Sequence, residues 1–155
     1  MKNFYKQGIT ALEIIIVLAV LAVVFAIVIP QFSKIRENQV LKSTTSDILS
    51  NLNKARAQTL ASVNSSSYGV HFQSDEVIIF KGTVFSDGDA NNETTNIIAP
   101  ATISNVTLGG VSGNSGDVYF NRLSGLPNVT GTITSSTTSY SKIITISATG
   151  VASAN

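Results

Sequence analysis

The apolar positions of this chain fall into three successive patterns: an unbroken run, a helical stripe, and a set of short alternating runs. From Ile14 to Ile29 sixteen consecutive residues are apolar, and the twenty residues from Ile14 to Ser33 carry no charge. With Ile9–Leu12 added, the stretch is long enough, at about 1.5 Å per helical residue, to cross a bilayer core of about 30 Å. One domain's worth of chain has no core that could bury such a helix on every face, so a membrane segment is predicted over residues 9–30. A cleaved secretory signal would need a small-residue site just after the run. Pro30-Gln31-Phe32-Ser33-Lys34 stands there instead.

The second pattern covers residues 31–63, which contain neither Gly nor Pro. Apolar or small residues recur at Leu41, Thr45, Ile48, Leu52, Ala55 and Thr59, spaced 4, 3, 4, 3, 4. That spacing predicts a helix with one buried stripe, its charged residues lying off the stripe. Continuity with the apolar run predicts a single helix from about Ile9 to Val63. Pro30 should interrupt it, because proline removes one helical hydrogen bond and crowds the carbonyl of Ala26.

Beyond Val63 the composition changes: 28 of residues 61–155 are Ser or Thr, and ten of the eleven glycines follow Tyr68. Strands are predicted at 68–73, 76–81, 101–108, 117–121, 129–134 and 142–148, separated by Gly, Asn, Asp and Ser clusters. Val70, Phe72, Ile79, Val118, Phe120, Ile133, Ile144 and Ile146 form the expected face toward the helix stripe. The Ser/Thr-rich tract 130–141 could be a flexible linker, but Ile133 among threonines and the Ile143–Ile146 run favour two strands joined by a turn. The expected fold is therefore α+β: a long N-terminal helix, half membrane segment and half amphipathic, packed on an antiparallel β-sheet head over residues 64–155.

Charge adds a polarity. Residues 1–56 carry seven basic and three acidic side chains, net +4, whereas 57–155 carry three basic and six acidic ones, net −3. An acidic head lacks the basic footprint that sequence-independent nucleic-acid binding requires. With no cysteine there is no disulfide framework, thiolate metal site or cysteine nucleophile.

The N-terminal motif carries the chemistry. Lys6-Gln7-Gly8-Ile9-Thr10-Ala11-Leu12-Glu13, followed by the apolar run and Pro30, resembles the class III signal of type IV pilins and type II secretion pseudopilins. The resemblance covers residues 2–32. It implies a leader, residues 1–8, cut off between Gly8 and Ile9 by a prepilin peptidase on the cytoplasmic side, and methylation of the new amine of Ile9. Gly8 has no side chain to hinder entry of the backbone into a protease cleft. Glu13 places a charge in the span, disfavoured by about 2.5–3.5 kcal/mol if it reaches the membrane centre, so it needs a partner. The resemblance supplies one: the N-terminal amine of a neighbouring subunit during assembly. Glu13 and Pro30 are thus the expected assembly residues.

Farther on, Tyr68-Gly69-Val70-His71-Phe72, Val77–Lys81-Gly82, Phe120-Asn121, Gly125, Gly131, Ile144-Thr145-Ile146 and Gly150 look like the head of GspH/FimT-type minor pseudopilins. The resemblance implies a single-pass protein of the bacterial inner membrane, N-terminus cytoplasmic and head extracytoplasmic. Its partners would be other pilin or pseudopilin subunits, the prepilin peptidase, an inner-membrane assembly platform and membrane lipid. Two alternatives stay open: a DNA-uptake minor pilin, against which the head's charge argues, and the major pilin of a surface fibre.

Other candidates fare less well. Oxygen ligands alternate at Asp87, Asp89, Asn91 and Glu93, but a calcium-binding EF-hand loop starting at Asp87 would need Gly at 92 and Glu at 98, where Asn92 and Ile98 stand. A solvated hairpin loop is expected there. His71 has no second His or Cys for a metal site and should point outward from its strand. No nucleophile, base and orienting acid are recognisable, so neither enzymatic activity nor a cofactor is expected.

Overall fold

A computed structural model describes residues 10–155; Gly8 and Ile9 lie outside the described residues. Helix α1 spans Ala11–Leu60. Thr10 starts it: its carbonyl accepts the first helical bond, from Ile14 N at 3.3 Å, and its Oγ1 accepts the Glu13 N–H at 3.3 Å, the geometry of an N-cap. The helix continues through Pro30. The interruption predicted there is therefore the loss of one hydrogen bond to Ala26 rather than a break. At the other end the helix stops three residues before Val63. Ser62 turns into the left-handed region (φ 50°) and a short 3₁₀ turn, Val63–Ser65, follows.

The chain divides into two compact units, one ending at Arg36 and the other spanning Glu37–Asn155. In the first unit every described residue, Thr10 to Arg36, is exposed. An 18-residue window within this helix has a mean hydropathy of 3.3 and none of it is buried, so α1 is long and apolar enough to cross a membrane.

The second unit contains the rest of α1 and nine strands in two antiparallel sheets. β1 (Tyr68–Phe72), β2 (Glu76–Lys81), β3 (Glu93–Asn96) and β6 (Gly116–Tyr119) form a sheet of order β3-β2-β1-β6. β4 (Thr102–Leu108), β5 (Val111–Gly113), β7 (Gly131–Ser136), β8 (Ser141–Ile146) and β9 (Ala152–Ala154) form the other, of order β5-β4-β7-β8-β9. The tract 130–141 holds β7 and the turn into β8, as the isoleucine spacing predicts.

All six stripe residues of α1 are buried, with Ile48, Ala55 and Thr59 wholly so. So are all eight residues expected on the facing side of the strands. Register aligns them: Val70 opposes both Ile79 and Val118, and Val106, Ile133 and Ile144 form one row across three strands. Ile48, Leu52 and Ala55 pack into this cluster. At about 25 cal/mol per Å² such apolar burial is the main force holding the helix to the sheets.

Among the described residues five polar side chains are buried as well, Thr44, Thr45, Asn51, Thr59 and Ser135. Thr59 Oγ1 accepts the Tyr68 N–H at 2.9 Å and donates to the Ala55 carbonyl at 2.9 Å, tying the end of α1 to the start of β1. Thr59→Val keeps the shape but orphans a buried N–H, which costs about 1–3 kcal/mol. Thermal unfolding of a fragment beginning at Gln31 should register that loss, whereas an unchanged midpoint would show that the Tyr68 amide finds another acceptor.

Candidate functional site

Of the residues expected to carry processing and assembly, Glu13 and Pro30 lie in α1, and Gly8 and Ile9 lie outside the described residues. Glu13 lies in the first turn of α1, exposed, three residues after the Thr10 cap. Thr-x-x-Glu is the capping-box spacing, a signal that the sequence displays. Only the Thr10 half of that box is formed among the described residues. A carboxylate there faces the positive end of the helix dipole, worth about 0.3–1 kcal/mol. Among the described residues Lys54 pairs with Glu93 and the His71 imidazole bonds Asp117, so Glu13 has no cationic partner within them. Pro30 is exposed within the helix, seventeen positions from Glu13, so the two make no common site.

The loop 82–92 between β2 and β3 is a hairpin connection, as expected. Asp89 Oδ1 accepts the Asn91 N–H and the Asn91 side-chain amide, each at 2.8 Å. Those two bonds, the backbone one first, hold the Asp89 carboxyl below its usual pKa. Glu93 opens β3 and pairs with Lys54. Asp89 and Glu93 are thus engaged by Asn91 and Lys54, and among the described residues no three metal-ligating side chains gather.

His71 points outward from its strand, as expected, but it is covered rather than solvated. Its side chain is only 11% exposed. Nδ1 bonds the Asp117 carboxylate, brought opposite by the β1–β6 register, and Nε2 lies 3.0 Å from Gln73 Nε2. Phe85, from the loop 82–92, stacks on the imidazole with centroids 3.9 Å apart and planes 5° from parallel. Phe85 also meets Phe80 edge-on at 5.7 Å. Ile78 and Phe80 share this outer face of β2 and are buried beneath the loop. The sequence signal for this cover is the unbroken apolar run Val77-Ile78-Ile79-Phe80, which marks a strand buried on both faces where alternation would mark one.

Beside this imidazole lies an open cleft of about 660 Å³, lined by His71, Gln73, Phe85, Ser104, Asn114 and Ser115 among others. A carboxylate can only accept, so Nδ1 carries the proton and Nε2 accepts from the Gln73 amide. Both ring nitrogens are thus occupied, and none of the cleft's serine hydroxyls bonds either. The arrangement is a fixed polar surface without an activated nucleophile.

Both arginines of the head are held by intramolecular acceptors. Arg56 Nε and Nη2 donate to the Gly125 and Thr149 carbonyls, each at 3.1 Å, and Arg122 Nη2 donates to Ser62 Oγ at 2.7 Å. These bonds fasten the loops 121–126 and 147–150 over the end of α1. Comparisons of the chain with protein-family models, with curated proteins and with solved structures return no match.

Proposed function

We propose that this chain is a pilin-like filament subunit of the minor pseudopilin kind, stored in the bacterial inner membrane and assembled into a type II secretion pseudopilus or a type IV pilus. The observation that carries the reading is the division of labour within α1. From Thr10 to Ser33 it forms an apolar surface with no partner among the described residues, broken by the single charge of Glu13, while from Leu41 onward it supplies the core of the head. An α-helix whose backbone bonds are satisfied internally is a stable way to cross lipid, and the same apolar surface can pack against identical helices.

On this reading Gly8 and Ile9 form the cleavage and methylation site, with prepilin peptidase and the assembly platform as partners. The commitment of Arg56, Arg122 and Lys54 to intramolecular acceptors supports a protein-assembly role over nucleic-acid capture. Intact-mass measurement of the membrane-extracted protein should show loss of residues 1–8 and one methyl group on Ile9. Retention of the leader in cells with an active prepilin peptidase overturns the reading.

A further inference from the structure

We infer that the cleft beside His71 is a binding site for a neutral oligosaccharide, a role that goes beyond the filament-subunit reading. Its volume of about 660 Å³ lies within the range of about 300–1,000 Å³ typical of small-ligand clefts. No Asp, Glu, Lys or Arg lines it. A phosphate or carboxylate ligand would find no cation there, and a cationic ligand no free carboxylate, because Asp117 is spent on His71.

What the cleft does offer is a set of uncharged donors and acceptors around one aromatic plate. Gln73 is the central group. Its amide nitrogen is held by His71 Nε2, and His71 is itself held by Asp117 on one side and Phe85 on its face. The Gln73 amide plane is therefore fixed before any ligand arrives. The amide oxygen and the second amide hydrogen remain as an adjacent acceptor and donor. That pair matches two neighbouring hydroxyls of a sugar ring, each of which can both donate and accept.

Ser104, Asn114 and Ser115 add exposed hydroxyl and amide groups from the other sheet and from the loop between β5 and β6. Half-buried Phe85 supplies the apolar surface against which the C–H face of a pyranose can lie. A largely apolar ligand would leave the surrounding polar groups desolvated and unpaired, at a cost for each. An alternation of polar rim and apolar face is the surface of a sugar.

The test uses the full chain in lauryldimethylamine oxide micelles, which have no sugar headgroup, with cellotetraose as the probe and tetra-alanine as the peptide comparison. Saturation-transfer NMR should show transfer to cellotetraose and little to tetra-alanine. Gln73→Leu and the exposed-loop variant Asn114→Ala should each weaken cellotetraose binding by calorimetry about fivefold to tenfold, as expected for one lost hydrogen bond. Absence of transfer to cellotetraose overturns the inference, as does unchanged affinity in Asn114→Ala together with a folded Gln73→Leu. Stronger transfer to tetra-alanine also overturns it and assigns the cleft to peptides. If Gln73→Leu loses its fold, Asn114→Ala alone decides. Neither processing nor assembly enters the readout, so this inference and the filament-subunit reading stand or fall separately.

Discussion

Replacing Glu13 with alanine should leave the protein inserted, processed and folded, while removing it from filaments. Three effects compete at this position, and their sizes decide the outcome. Loss of the carboxylate at the first turn of α1 forfeits about 0.3–1 kcal/mol of helix-dipole interaction, with the Thr10 cap still in place. Removing a charge from a membrane span relieves up to about 2.5–3.5 kcal/mol, so insertion is favoured rather than harmed. In the bundle that the filament-subunit reading proposes, by contrast, deleting one member of a desolvated Glu13–amine pair costs about 3–5 kcal/mol and strands the amine of the neighbouring Ile9. That last effect lowers each incorporation step about a hundredfold or more. Co-purification of the variant with the major subunit is the measurement, with processing followed in parallel. Incorporation at the wild-type level would mean that Glu13 sits solvated at the headgroups.

Gly131→Ala should have the largest effect on the fold of the head. Gly131 opens β7 between Leu108 of β4 and Ile146 of β8. A Cβ at this position would lie 1.9 Å from the Thr107 carbonyl oxygen and 2.9 Å from the Leu108 Cα, both backbone atoms that no rotamer change can move aside. Relief requires β4 and β7 to separate at the centre of the five-stranded sheet, directly beside the buried Val106–Ile133–Ile144 row. Strain of this kind costs about 3 kcal/mol or more, a large part of the stability of a small domain. A fragment starting at Gln31 and carrying the substitution should unfold at a much lower denaturant concentration than its parent. Equal midpoints would show that the two strands part at that corner without cost.

The helix and its stripe were legible because burial on a helix leaves a 3,4 spacing that polar positions do not blur. Strands with inward isoleucines or phenylalanines were legible for the corresponding reason at period 2. β3 (Thr94-Thr95 at its centre), β5 (Val-Ser-Gly) and β9 (Ala-Ser-Ala) were not, because they bury almost nothing and are placed by backbone pairing with β2, β4 and β8. The sequence also does not divide the head into two sheets, since that depends on which strands pair across intervening ones. In the candidate site, the pattern from Gly8 to Pro30 can be read along the chain, and the Thr10 cap follows from its spacing to Glu13. The surroundings of His71 cannot be read so. Asp117 lies 46 residues away and reaches it through strand register, and Phe85 arrives from a loop whose path no local pattern specifies.

The shortness of the outermost strands has a consequence for how copies of this chain can join. β5 and β9, at the two margins of one sheet, have three residues each, and β3 and β6, at the margins of the other, have four. An incoming strand could extend any of these ladders by only a few hydrogen bonds. Such stubs protect a Ser/Thr-rich β protein from joining neighbours edge to edge into unordered aggregates. On the filament-subunit reading, ordered polymerisation then draws its adhesion from elsewhere, and the exposed apolar part of α1 can supply it.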